Sequence, residues 1–207
     1  PFGVGGGVAA QHSQNHEAWL AAVPGLKVCV PSTPYDVKGL LKSAIRDDNP
    51  TIFFEHKRCY QLRGEVPDED YTIPFGKASV KREGKDVTIV TYSYMSYVAD
   101  DAAKELEKEG ISVEIVDLRT ILPVDYDTVM ESIAKTNRVV VVTEACERGS
   151  ITGEIIAEIC KRGFDLLDAP PLRVGSLNVP VPYNRNLEAL CAPNKDTIIA
   201  AIRKVLE

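Results

Sequence analysis

Four consecutive valines, Val139–Val142, stand in a half-chain where strand-type and helix-type apolar patterns take turns. This alternation restricts the fold more than any other feature of the sequence. An unbroken β-branched run belongs to a strand covered on both faces, as in a parallel sheet packed between helices. Around it the spacing predicts strands at Val87–Tyr92, Val113–Leu118 and Leu172–Val174. Helices are predicted at Ala99–Glu109, from Asp125 or Thr128 through Ile133, from Ile151 to Gly163, and through Ile198–Leu206. Gly110 and Gly163 supply C-terminal stops, and Thr128 with Glu131 has capping-box spacing. Residues 86–207 therefore read as a doubly wound α/β domain.

The front of the chain carries a shorter version of the pattern. Residues 8–22 are expected to form one helix with Val8, Ala18, Trp19 and Ala22 packed inward. Leu26–Val30 and Thr51–Glu55 are predicted strands. Between them Thr33 suits an N-cap, Pro34 the first helical position, and Asp36 complements the dipole. Val37, Leu40, Leu41, Ala44 and Ile45 share one face of that helix, and Asn49-Pro50 ends it. The product is one strand–helix–strand crossover, the unit of a parallel sheet. Residues 61–85, with Pro67, Pro74 and the charge run Asp68-Glu69-Asp70, are expected to link residues 1–60 to 86–207.

Composition removes several classes of function. A net charge of −6 with no dense Lys/Arg cluster argues against a nucleic-acid partner. No apolar run approaches the ~20 residues of a membrane span. A hydrophobic fraction of 44% is enough for a packed core. The cysteines at 29, 59, 146, 160 and 191 form no C-x-x-C pair, which speaks against a zinc or thioredoxin-type motif. Their odd number fits reduced thiols in the cytoplasm, or in the mitochondrial matrix of a eukaryote, and Cys29 between two valines reads as core.

The candidate chemistry lies near the start. Gly5-Gly6-Gly7 allow a sharp turn or a close approach to a ligand. Val8-Ala9-Ala10 follow, and then the polar row Gln11-His12-Ser13-Gln14. His12 stands out because imidazole exchanges a proton near neutral pH. Composition alone favours a plainer reading, a solvated helix start. His12 and His16 have the i,i+4 spacing of a metal-binding helix, but Ser13 stands where the zincin pattern needs Glu.

The wording of these stretches is more specific than their composition. Ala9-Ala10-Gln11-His12-Ser13-Gln14, Glu17-Ala18-Trp19 and Pro24-Gly25-Leu26-Lys27-Val28 resemble the β subunit of the E1 component of 2-oxo acid dehydrogenase complexes. So do Ser43–Pro50, Ile73–Ala78, Arg82–Asp86, Val116–Asp125, the strand ending in Val142-Thr143-Glu144-Ala145, and Asp168–Val174. The resemblance implies the second half of a transketolase-like pyrimidine-binding domain followed by a transketolase C-terminal-like domain. It implies oxidative decarboxylation of a 2-oxo acid by thiamine diphosphate and transfer of the acyl group to lipoyl-E2. His12 matches the family histidine that protonates the lipoyl thiolate, with Ser13 and Gln14 as candidates to orient its ring. Ala44, Ile45, Asp47 and Asn49 match a loop that binds structural K⁺, where the residues alone read as an ordinary polar helix stop. Arg119 and Glu144, at strand ends, are read as structural ion pairs.

The implied partners are an E1 α subunit in an α2β2 heterotetramer, and the lipoyl and subunit-binding domains of E2. The diphosphate and Mg²⁺ are expected on the α subunit. The glutamate that activates the thiamine ring belongs to the first half of the pyrimidine-binding domain, which these residues do not include. The 207 residues alone are therefore expected to be inactive and to bind the cofactor weakly. Two alternatives remain: a single-chain relative of transketolase or deoxyxylulose-phosphate synthase type, and a non-catalytic assembly module. The motifs do not distinguish pyruvate, branched-chain and acetoin types.

Overall fold

The computed structural model describes all residues, 1–207. The front segment contains α1 (Glu17–Ala21), β1 (Lys27–Cys29), α2 (Pro34–Arg46) and β2 (Thr51–Phe53). Then come β3 (Ser79–Arg82), β4 (Val87–Thr91), α3 (Met95–Glu107), β5 (Val113–Asp117), β6 (Thr120–Leu122) and α4 (Tyr126–Thr136). The chain closes with β7 (Val139–Cys146), α5 (Ile151–Gly163), β8 (Leu172–Ser176), α6 (Arg185–Cys191) and α7 (Lys195–Leu206).

The larger sheet has the order β3-β5-β4-β7-β8. β5, β4, β7 and β8 run parallel, and β3 pairs antiparallel at the edge. All four valines of the run are buried in β7, with α3 and α7 on one side of the sheet and α4 and α5 on the other. One 16-residue core lies against α3 and α7, and one of 13 residues lies on the opposite side. Ile198, Ile199, Ile202 and Val205 of α7 are buried as their spacing predicts. Cys29 is also buried.

The smaller sheet, β2-β1-β6, realises the predicted crossover, with β1 and β2 parallel. α2 begins on a full capping box: Thr33 Oγ1 accepts from the Asp36 amide, and Asp36 accepts from the Thr33 amide. Its third strand is β6, which pairs antiparallel with β1 from the other half of the chain.

Three features depart from the sequence pattern. The helix expected over 8–22 is instead a 3₁₀ turn, Ala10–His12, followed by the short α1. Ala9 at φ 59° breaks the helical path. Trp19 is 72% exposed, and the buried residue of α1 is Glu17. On α2, Leu40 is buried but Leu41 and Ile45 are exposed, because Gly39 lets Ile73 and Tyr71 pack over a different strip. Residues 61–85, expected to be only a connector, supply the edge strand β3.

Candidate functional site

In the larger sheet, β5 lies on one side of β4 and β7 on the other, although β5 comes next in the chain. The connection thus reverses direction at the β4/β7 boundary, and in open α/β sheets the crevice beyond the strand ends at such a point is where ligands bind. Here the front segment enters it. Glu144 Oε2 accepts from the Val4 amide at 2.8 Å and lies 2.8 Å from His56 Nε2. His56 stacks on Tyr94, with ring centroids 5.1 Å apart. Tyr92 Oη donates to Glu17 Oε1 at 2.9 Å and lies 2.6 Å from Thr143 Oγ1. Gly3, at φ +89°, passes so close to His56 and Glu144 that any Cβ would collide with both.

The expected ion pair of Arg119 is present, its Nε donating to Asp36 Oδ1 at 2.7 Å, and Glu144 is joined to His56 by a hydrogen bond. Each joins the two halves of the chain, and the partners lie 83 and 88 residues away.

Between the front segment and the ends of β7 and β8 runs a cleft of about 570 Å³, lined by Ser13–His16, Trp19, Glu144–Cys146 and Ser176–Val181 among others. Ser13, Asn15 and Glu144 line it, and their Oγ, Oδ1 and Oε1 atoms are buried without a hydrogen-bond partner. Glu17 Oε2 is also buried without a partner, and its carboxyl is pushed up to about 7, first by burial and with a contribution from the nearby Glu144 charge.

His12 is exposed between Ala10 and Ser13, both of which line this cleft. Ser13 Oγ is buried and unpartnered, and the backbone carbonyl of Gln14 accepts from the Gly3 amide. The backbone carbonyl of His12 accepts from Lys57 Nζ. Glu188 of α6 accepts from the Gly5 amide at 2.9 Å and from the Gly7 amide at 3.1 Å. These partners lie in an element the sequence pattern did not announce. His16 stands outside the turn of His12, at the N-cap of α1 and against Trp19.

At the end of α2, Ala44 is half-buried and Ile45 is 75% exposed. Asp47 Oδ1 accepts from the Asn49 amide at 2.8 Å and from Asn49 Nδ2 at 3.0 Å, while its other oxygen pairs with Lys27. These contacts, led by Lys27, pull the Asp47 carboxyl down to about 2. No group of three or more His, Cys, Asp or Glu side chains is placed to hold a metal ion. No helix is long and apolar enough to cross a membrane.

The family model of the transketolase C-terminal domain matches residues 76–198, and that of the transketolase pyrimidine-binding domain matches residues 1–63. Among curated proteins, the 2-oxoisovalerate dehydrogenase subunit beta of Bacillus subtilis is 48% identical over 100% of this chain and 64% of its own length. The acetoin:2,6-dichlorophenolindophenol oxidoreductase subunit beta of Cupriavidus necator is 51% identical over 99% of this chain and 61% of its own. The pyruvate dehydrogenase E1 component subunit beta of Bacillus subtilis is 48% identical, again over 100% and 64%. The chain thus spans about three-fifths of the length of these relatives. Among solved structures, a split-gene transketolase in an inactive β4 tetramer superposes with a TM-score of 0.77 at 28% identity, over 95% of this chain and 63% of that one. The chain belongs to the transketolase family, joining part of its pyrimidine-binding domain to its C-terminal domain in the form found in E1 β subunits of 2-oxo acid dehydrogenases.

Proposed function

We propose that the chain is the β-subunit portion of a thiamine-diphosphate-dependent 2-oxo acid dehydrogenase E1, acting on a 2-oxo acid and passing the acyl group to lipoyl-E2. The observation that carries this reading is the similarity to three E1-type β subunits at 48–51% identity along the whole chain. The exposed His12, on a turn pinned from two sides, supports it. Thiamine diphosphate, when bound, supplies the decarboxylating chemistry. His12 holds a proton at its imidazole and delivers it to the lipoyl sulfur released as the acyl group transfers, an acid–base role suited to its type. The cofactor's diphosphate and Mg²⁺ are held by an α subunit.

An α partner is also supported by apolar side chains left open near His12 and α6. Trp19, Tyr183 and Leu190 are 72%, 75% and 70% exposed. Covering these side chains against another chain would remove their apolar surface from water. The loop after α2 is proposed to hold K⁺ through the Ala44 and Ile45 carbonyls with Asp47 and Asn49. The unpaired carbonyls at the negative end of a helix favour a cation there.

The test is His12→Ala in the full-length chain assembled with its α partner. Reductive acylation of the lipoyl domain is expected to fall by about 10²-fold or more, the scale of a lost general acid. Decarboxylation read with an artificial electron acceptor is expected to fall much less. Equal rates to wild type in both assays would exclude His12 from the chemistry.

A further inference from the structure

We propose that Glu188 and Lys57 are positioning residues for His12: together they fix the backbone on either side of it, so that the C-terminal domain, through α6, sets the geometry of the proton donor. This rests on the reading of His12 given above.

The turn that carries His12 has little to hold it by itself. It is a three-residue 3₁₀ turn with no buried residue and no side-chain cap. It follows three glycines, of which Gly5 and Gly7 have φ of +103° and +61°. Such a segment samples many conformations unless it is held from outside. Two outside clamps are present. Glu188, only 3% exposed, takes the Gly5 amide on Oε1 at 2.9 Å and the Gly7 amide on Oε2 at 3.1 Å, with a longer contact of 3.4 Å from Gly7 to Oε1. An ionised acceptor makes these bonds stronger than neutral ones. Downstream, Lys57 Nζ donates to the His12 carbonyl itself.

The clamps are linked to one another and to the fold. Partial burial holds the Lys57 ammonium below the usual lysine range, and the Glu144 and Glu188 charges act against that lowering. Gly5 lies against Arg58, the residue after Lys57, and a Cβ there would collide with that side chain. α6 is itself capped by Asn184, whose Oδ1 accepts from the amides of Asn186 and Leu187. A glutamate 183 residues from Gly5 in sequence thereby fixes the approach to His12. The buried carboxylate is accounted for by its partners, since its two oxygens accept from backbone amides of the glycine-rich stretch before His12.

The test uses Glu188→Gln and Lys57→Met in the full-length chain assembled with its α partner, with Lys57→Arg as the conservative control. Glu188→Gln keeps the shape but turns an amide N–H₂ toward one of the two glycine donors. Lipoyl acylation is expected to lose about tenfold or more in kcat with KM for the lipoyl domain little changed, as expected for a misplaced catalytic group. Dye-linked decarboxylation should lose less. Lys57→Arg should recover most of the rate lost in Lys57→Met. Hydrogen exchange, read without turnover, should quicken at the Gly5 and Gly7 amides in Glu188→Gln. Unchanged exchange there, or an equal loss in both activities, overturns the proposal. If His12→Ala leaves acylation intact, the reading of His12 fails instead, while the exchange result still reports on the clamp.

Discussion

Glu17 is fully buried, and only one of its two carboxylate oxygens has a partner. Burial penalises the charged form, so the carboxyl titrates near 7 where an exposed one titrates near 4.5. A folded-state value above the unfolded one means that Glu17 favours the fold fully below pH 4.5, and that this contribution is lost as pH rises through about 7. The loss is on the order of 3 kcal/mol for a shift of this size. Glu17→Gln keeps an acceptor for Tyr92 Oη but cannot ionise. Its stability in denaturant titrations is therefore expected to be flatter between pH 4.5 and 7, and higher than wild type at pH 8. Parallel curves for the two proteins would remove the buried charge from the account. At this scale the sequence told little, because the burial of Glu17 depends on Tyr92, 75 residues away. The pattern put Trp19 and Ala22 inside, and both are exposed. Arg119 and Glu144 were legible as pair-formers by type and position, but not Asp36 and His56 as their partners.

Elements whose causes are local were the legible ones. α2 starts at Thr33-Pro34-x-Asp36 because cap, ring and acid act within four residues, and the valine run of β7 announces its own burial. β3 and β6, of four and three residues, were not legible, since they are strands only by virtue of pairing with β5 and β1. α6, which carries Glu188, is seven residues long and set among proline-rich chain, too short for a helical period to show. The end of α2 is the element on which a ligand prediction can be tried. If Ala44, Ile45, Asp47 and Asn49 hold K⁺, stability should rise with K⁺ at fixed ionic strength. The gain is about 1.4 kcal/mol at ten times the dissociation constant, as for any ligand bound only by the folded state. Lys27 already pairs with Asp47, so Asp47→Ala removes an ion pair as well. The informative quantity is thus the slope with K⁺, which this variant should abolish, and not its absolute melting temperature. A wild-type melting temperature that does not move from Na⁺ to K⁺ would exclude an ion there.

At the scale of the whole molecule, the two halves that the sequence pattern separates are built into one another. The second core gathers Val28 and Val30 of the front segment with Val90, Tyr92, Val116, Leu118 and Ile121 of the rear. β6 leaves the rear half to complete the smaller sheet, and Glu144 and Arg119 reach across to His56 and Asp36. Removing either half would strip a sheet edge and expose apolar surface on the other. Periodicity cannot reveal this, because it reports which face of an element is apolar and not which element covers it. The consequence is a single cooperative transition for residues 1–207, as in a small domain with one shared core. The chain provides its own test, since its one tryptophan, Trp19, lies in the front segment. Trp19 fluorescence follows that segment, whereas far-ultraviolet circular dichroism follows the helices of the rear as well. In urea the two signals are expected to trace one curve with one midpoint. A fluorescence change completed well before the loss of helix would mean that the front segment detaches from a rear domain stable without it, and that the shared core couples the two halves only weakly.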